Sequence, residues 1–199
     1  MPAAEATTST GRHIILDRMS KCNDAGIEVL YGDTDSLFIK SPPPQQIQKI
    51  IDRAKNDHNV ELEVEKEYRY VVLSDRKKNY LGVTKSGKVD VKGLTGKKSH
   101  TPPFIKTLFF ELLDILAEVK TVDEFKHAKK KISDKISECT KKVQAKEIPL
   151  SELAFNVMRS KAPKEYVKTI RQHIRAGRQL ESSGEIKTGE AISYATMIN

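Results

Sequence analysis

The sequence of 199 residues lacks tryptophan altogether and contains only two cysteines, Cys22 and Cys139. Two cysteines without metal-ligand spacing exclude a disulfide framework and a cysteine-based zinc site. The five histidines are scattered along the chain, so a histidine zinc site is not expected either. No segment approaches the roughly 18 consecutive apolar residues of a membrane span, and the N-terminus has no basic-then-apolar signal. We therefore expect a cytoplasmic protein that is not associated with a membrane.

Charged residues, in contrast, are abundant and unevenly distributed. The net charge is +8, from 35 Lys and Arg against 27 Asp and Glu. Residues 1–40 carry six acidic and four basic side chains, whereas residues 41–199 carry 21 acidic and 31 basic ones. A basic chain with an acidic N-terminal part suits a polyanionic partner, although a lysine-rich solvated surface gives the same composition.

The hydrophobic period changes near Ser99–Pro103 from about two to about 3.6 residues. Before this point the pattern predicts helices over 3–25 and 45–57, hairpin strands over 27–31 and 36–40, and further strands over 60–72, 78–84 and 88–94. After it, two apolar stripes predict helices that pack against one another: Ile105, Leu108, Phe109, Leu112 and Leu116, then Phe125, Ile132, Ile136, Cys139 and Val143. The predicted fold class is α+β, with an antiparallel sheet and helices over 1–100 and a mostly helical part over 101–199.

The stretch IEVLYGDTDSLFIK, residues 27–40, places two carboxylates, Asp33 and Asp35, between two β-rich runs. A polar turn is one explanation, because Gly32 permits a positive φ and Asp suits tight connections. In an extended chain, however, side chains at i and i+2 lie on the same face. Two negative charges at about 4 Å repel by roughly 4 kcal/mol at an effective dielectric near 20. The pair therefore also indicates a site for Mg²⁺ or Mn²⁺.

The surrounding sequence narrows the kinds of metal site. An EF-hand loop starting at Asp33 would need Gly and Glu where Phe38 and Pro44 stand, so that site is excluded. The remaining interpretation is a pair of carboxylates for phosphoryl chemistry, which normally needs a further carboxylate from another strand. An unrelated metal nuclease would also fit such a pair, but no metal-binding histidine accompanies it.

A second charged feature lies near the C-terminus. Five basic residues recur at steps of four and three, which keeps them on one side of a helix: Lys164, Lys168, Arg171, Arg175 and Arg178. Like charges so close together destabilise a free helix, and phosphates of a nucleic acid would relieve that repulsion. A solvated helix face is the alternative interpretation.

The hexapeptide YGDTDS at 31–36 resembles motif C of the family B DNA polymerases. Other segments resemble that family in the same order along the chain. They are AEATTSTGR at 4–12, which resembles the helix before motif C, KKNY at 77–80, QHIRAGRQL at 172–180, which resembles a thumb segment, and GEAISY at 189–194.

The resemblance implies the C-terminal palm over 1–100, with the motif C hairpin at 27–40, and the thumb over 101–199. It implies that Asp35 is the main ligand and Asp33 a supporting ligand of two Mg²⁺ ions, and that Tyr31, Gly32 and Thr34 shape the hairpin. It also implies that Lys77, Lys78 and Tyr80 lie against the minor groove of the primer-template duplex, and that dNTP is the second substrate.

Motifs A and B and any exonuclease segment have no counterpart in these 199 residues. In the family these segments precede motif C. The resemblance therefore indicates the small subunit of an archaeal split polymerase, acting with a large subunit that carries the missing segments. A cloned fragment, an inactive DNA-binding fragment and a scaffold whose partner performs the chemistry are the alternatives.

Overall fold

The computed structural model describes residues 2–158, 172–182 and 191–196 of the chain. The chain forms two compact units, Met1–Lys85 and Ser86–Asn199. Helices and small antiparallel sheets occur together, so the predicted α+β class is confirmed. Among the described residues, no helix is long and apolar enough to cross a membrane.

The first unit consists of two helices and two strand pairs. In chain order its elements are α1 (Pro2–Asp24), β1 (Val29–Asp33), β2 (Ser36–Ile39), α2 (Pro44–His58), β3 (Tyr68–Leu73) and β4 (Tyr80–Thr84). Strand β1 pairs with β2 and β3 pairs with β4, both antiparallel. Helix α1 ends before Gly26, whose φ of 72° only glycine adopts without strain. The helices predicted over 3–25 and 45–57 are therefore confirmed.

The second unit is mainly helical in its described part. Its elements are β5 (Val89–Lys92), a 3-10 turn (Thr95–Lys97), α3 (Pro103–Glu118), α4 (Glu124–Gln144), α5 (Leu150–Leu153), β6 (Phe155–Met158), α6 (Gln172–Ser182) and β7 (Ala191–Tyr194). Helices α3 and α4 begin and end within a few residues of what the apolar stripes predict. Strands β6 and β7 pair antiparallel, and the rings of Phe155 and Tyr194 stack across them at 5.4 Å.

The apolar stripe predicted for α3 is only partly correct. Leu113, which lies outside that stripe, is the most buried residue of the helix, whereas Ile105 within the stripe is exposed. In α4 the predicted Cys139 is buried, and Ile136 and Val143 are exposed. The 3.6-residue period predicts the helix correctly. The apolar stripe is wide, however, so the period does not determine which of its residues are buried against the rest of the unit.

The strand predicted over 60–72 is wrong in its first half. Residues 59–67 form no strand, and β3 begins only at Tyr68. The alternating stretch carries Glu61, Glu63, Glu65 and Glu67, all of which are exposed. Period-two alternation alone does not make a strand, because a strand also needs a partner whose backbone groups pair with it.

Two tight packing contacts explain glycines inside the elements of each unit. A Cβ added to Gly82 of β4 would lie 2.5 Å from the Tyr68 ring of β3, so the ring lies directly over the glycine. In the second unit, the ring of Phe109 closes in the same way over Gly96. At these positions glycine allows an aromatic ring to pack against the backbone.

Candidate functional site: the hairpin carboxylates and their support

The hairpin formed by β1 and β2 turns in two residues, Thr34 and Asp35. Asp33 pairs with Ser36, and Thr34 has a left-handed φ of 48°. The backbone N–H of Asp35 donates to the Asp33 carbonyl at 2.5 Å, and Ser36 Oγ donates to the same carbonyl at 3.3 Å. The two bonds close the turn around one acceptor, which places both carboxylates at the tip.

This turn corrects two expectations about the hairpin. The left-handed residue is Thr34, whereas Gly32 lies within β1 and is not left-handed. A Cβ at Gly32 would lie 3.2 Å from Leu37 Cδ2 and 3.4 Å from Met19 Sδ, so glycine there permits close packing. The second correction concerns Asp33 and Asp35: a turn begins between them, so the i, i+2 rule for extended strands does not apply.

The two carboxylates differ in their surroundings. Asp33 is half-buried, its Oδ1 accepts a hydrogen bond from Thr34 Oγ1 at 3.0 Å, and its Oδ2 lies 3.9 Å from Lys78 Nζ. Asp35 is exposed at the tip. Thus Asp33 is oriented by neighbouring groups, and Asp35 is open to a ligand.

The loop between β3 and β4, residues 74–79, is fixed to the hairpin by a tyrosine. Tyr31 Oη of β1 accepts a hydrogen bond from the backbone N–H of Lys78 at 2.9 Å. Within the loop, Ser74 Oγ donates to the Asn79 carbonyl at 2.9 Å. Lys78 has a left-handed φ of 56°. The lysines of the KKNY segment are therefore held beside the hairpin tip by a bond between elements 47 residues apart in sequence.

Aromatic rings pack between the hairpin and the β3–β4 pair. Phe38 of β2 contacts Tyr31 edge-on at 5.6 Å and Tyr80 edge-on at 5.1 Å, and it stacks on Tyr68 at 5.8 Å. Rings at these separations attract one another beyond simple burial. Sequence reasoning missed this cluster, although its signal was present: four aromatic residues sit on four predicted strands.

The predicted site residues are thus partly brought together. Tyr31, Asp33, Asp35, Lys78 and Tyr80 lie in one region of the first unit, and Lys77 is exposed in the same loop. On α6 of the second unit, Arg175 and Arg178 are both exposed, while Ile174 of the same helix is buried. The predictions for Lys164, Lys168 and Arg171 fall outside the described residues.

The carboxylate pair fits part of a magnesium site. Mg²⁺ in proteins is commonly held by one or two carboxylates together with substrate phosphates and water. Within residues 2–158, 172–182 and 191–196, no group of three or more His, Cys, Asp or Glu could hold a metal ion. Asp33 and Asp35 therefore supply the right kind of oxygen donor, but a complete site needs at least one further ligand.

Comparison with known proteins tests the family resemblance. A family model described as DNA polymerase family B matches residues 2–199. The chain belongs to DNA polymerase family B. The family assignment made from the hexapeptide and its flanking segments is therefore confirmed. The family match does not bear on the expectation of a split enzyme.

Individual relatives and a solved structure give the same result. DNA polymerase 1 of Saccharolobus solfataricus is 41% identical over 181 residues, which cover 91% of this chain and 20% of that protein. DNA polymerase 1 of Aeropyrum pernix is 34% identical over 195 residues, covering 98% of this chain and 20% of that protein. The structure of the family B DNA polymerase from Pyrobaculum calidifontis matches with a TM-score of 0.67 at 26% identity, covering 98% of this chain and 24% of that one. The chain spans about a fifth of the length of the curated relatives it matches.

Proposed function

We propose that these residues form the palm and thumb part of a DNA-directed DNA polymerase, acting in DNA replication or repair. The reaction is attack of a primer 3′-hydroxyl on the α-phosphate of a dNTP, with release of pyrophosphate. The observation that carries the proposal is the two-residue turn that presents Asp33 and Asp35 at the tip of the YGDTDS hairpin. Family membership supports it, because the named relatives are DNA polymerases.

In this proposal the two carboxylates have different roles. Asp35 is exposed and is the main metal ligand, whereas Asp33, oriented by Thr34 and lying near Lys78, supports it. Bound Mg²⁺ or Mn²⁺ would supply Lewis acidity and neutralise the charge that develops on the transferred phosphoryl group. The residues of this chain orient the carboxylate oxygens and bring Lys78 close to Asp33.

The loop at 74–79 is proposed to contact the primer-template duplex. Lys77 and Lys78 are exposed, and the Tyr31 hydroxyl fixes the backbone at Lys78. Minor-groove acceptors are nearly the same for every base pair, so lysines there grip DNA without reading its sequence. Arg175 and Arg178 on α6 would hold phosphates of the same duplex, together with Lys164, Lys168 and Arg171.

We further propose that a separate large subunit supplies the remaining carboxylate and the nucleotide-binding segment. The supporting fact is that these 199 residues include one carboxylate pair at the hairpin but no segment resembling motif A or motif B. The named relatives are single chains that carry about four fifths of their length outside the matched region, so the separate subunit rests on the motifs of this sequence and not on the relatives.

Two measurements test this function. The purified chain alone should not extend a primer, because it lacks part of the metal site, and coexpression with a polypeptide carrying motifs A and B should restore synthesis. In source cells, an antibody against this chain should detect a band near 22.4 kDa. Unaided synthesis by the chain would contradict the shared active site. A band several times heavier would contradict the separate subunit while leaving the polymerase assignment intact.

A further inference from the structure

A cavity of about 250 Å³ lies between α1 and α2 in the first unit, and its lining is strongly basic. Arg18 and Lys21 contribute from α1, and Lys49 and Arg53 contribute from α2. The apolar side chains of Ile27 and Ile50 complete part of the wall. Residues of this lining belong neither to the hairpin tip nor to the loop at 74–79, so the cavity is distinct from the candidate site.

Helical spacing accounts for the convergence of the four cations. Arg18 and Lys21 are three residues apart on α1, and Lys49 and Arg53 are four residues apart on α2, so each pair shares one helix face. Lys21, Lys49 and Arg53 are exposed. The structure gives them no ion-pair partner among the residues it describes. Arg18 is paired with Asp17 and Asp57, but the three exposed cations around the cavity repel one another, and a bound anion would relieve that repulsion.

Arg18 provides the second, independent observation. Its side chain is 2% exposed, and its Nη2 donates to Asp57 Oδ2 at 2.7 Å and also to Asp17. Another nitrogen of the same guanidinium group, Nη1, is buried and has no hydrogen-bond partner. Native proteins rarely leave a buried guanidinium N–H unsatisfied, and each such group calls for an explanation. An anion oxygen at the base of the cavity would supply the missing acceptor.

We propose that this cavity binds a phosphate group. Two guanidinium groups and two ammonium groups around one space suit phosphate, because arginine pairs with its oxygens in a forked geometry and lysine adds charge. The volume is below the roughly 300 Å³ at which pockets begin to enclose drug-sized ligands, so the cavity takes phosphate or pyrophosphate rather than a whole nucleotide. The phosphate comes either from a free ligand or from the backbone of a nucleic acid strand.

The test uses the purified 199-residue chain and calorimetric titration with pyrophosphate at low salt. The exposed pair Lys49 and Arg53 is changed to Gln, which removes two cavity charges without touching buried Arg18. The matched control is K129Q/K130Q, which removes the same charge from exposed positions on α4. Circular dichroism checks that each variant keeps the helical content of the parent chain.

Pyrophosphate should bind the parent chain, K49Q/R53Q should weaken binding by roughly tenfold or more, and the control should change it by less than about twofold. A short single-stranded oligonucleotide without terminal phosphates distinguishes the two sources. If K49Q/R53Q also weakens its binding, the source is a nucleic acid strand, and if not, it is a free ligand. The proposal is overturned if pyrophosphate does not bind, or if both variants weaken binding equally. Neither result depends on the proposed polymerase function.

Discussion

The two regions predicted to contact DNA are built in different ways. The hairpin tip and the loop at 74–79 are joined by the Tyr31–Lys78 hydrogen bond and by the rings around Phe38. On α6 of the second unit, Arg175 and Arg178 are exposed on one side of a helix whose Ile174 is buried. The first region fixes individual atoms, and the second fixes only which face carries charge.

This difference follows from what each region is proposed to do. Metal ligands must be held close to their productive geometry, because transition-state stabilisation falls steeply with small displacements. Phosphate contacts position a duplex through charge and tolerate several side-chain geometries. We therefore expect single substitutions to be severe at the hairpin and graded at α6.

The largest effect is expected for Asp35→Asn. The change keeps the shape of the exposed tip residue and removes the charge that metals need, so the rate of nucleotide addition should fall by about 10³ or more. Asp33→Asn should be damaging but less so, because Asp33 is proposed only to support Asp35. The measurement is single-turnover primer extension by the chain together with a polypeptide that carries motifs A and B.

The control for this prediction is Asp114→Asn, the same chemical change at an exposed position of α3. It should leave the rate unchanged. Near-normal primer extension by the Asp35 variant would contradict the proposal that Asp35 is the main metal ligand.

The second effect concerns the basic stripe on and before α6. Changing Arg171, Arg175 and Arg178 to Gln should weaken DNA binding about equally across sequences and lower the magnitude of the salt slope by roughly one unit per lost contact. Processivity should fall more than single-nucleotide incorporation at saturating DNA. The measurement is the affinity for primer-template DNA, at several salt concentrations, of the chain together with the proposed large subunit.

The matched control is the triple change of Lys129, Lys130 and Lys131 to Gln, which removes the same charge from three exposed positions of α4, of which Lys131 pairs with Glu118. It should alter the slope little. If both triple variants change the slope equally, the stripe on α6 is a solvated surface and the contrast between the two regions fails.

A smaller effect is expected for Tyr31→Phe. The change removes the acceptor for the Lys78 N–H and should cost about 1 kcal/mol of stability, the net value of one hydrogen bond. Because it also releases Lys78 from the hairpin, primer extension should fall several-fold at low DNA concentration. Thermal unfolding and a titration with primer-template DNA measure the two effects.

Tyr194→Phe is the control in the second unit. The Tyr194 ring stacks on Phe155, but its hydroxyl has no hydrogen-bond partner among the residues that the structure describes. Loss of that hydroxyl should change neither stability nor activity. Equal effects of the two substitutions would mean that the Tyr31 hydroxyl contributes nothing specific to the site.

Much of this arrangement could be predicted from the sequence, but the contacts between segments distant in sequence could not. Periodicity gave the helices, and the hexapeptide gave the hairpin and the family. The bond between Tyr31 and Lys78 joins residues 47 apart, and no local pattern encodes such a pairing. The role of Gly32 was missed for the same reason, because its close neighbour Met19 comes from a different element.

The buried arginine illustrates the limit most clearly. In the sequence, Arg18 is one of several polar residues in a helix with little apolar character, and nothing marks it as buried. In the structure, Asp57 and His58 at the end of α2 reach Arg18 and Asp17 on α1. A charged residue becomes buried when partners arrive from another element, and those partners are not adjacent in the sequence.

The smallest predicted effect tests the cluster of Asp17, Arg18, Asp57 and His58. The ion pairs described in the second unit lie at the surface and contain no buried arginine. A hydrogen bond from His58 at 2.9 Å and others from Arg18 lower the pKa of Asp17 from 3.8 to about 2. The ionised form is thus favoured by folding, so its contribution to stability is complete above pH 3.8 and is lost as the pH falls toward 2. Urea unfolding of the chain at a series of pH values should therefore show a decline over this window that is shallower in Asp17→Asn. Asp114→Asn, which changes an exposed carboxylate of α3, should leave the slope unchanged. A variant at Asp17 with the parent's full pH dependence would show that the cluster does not link α1 to α2 energetically.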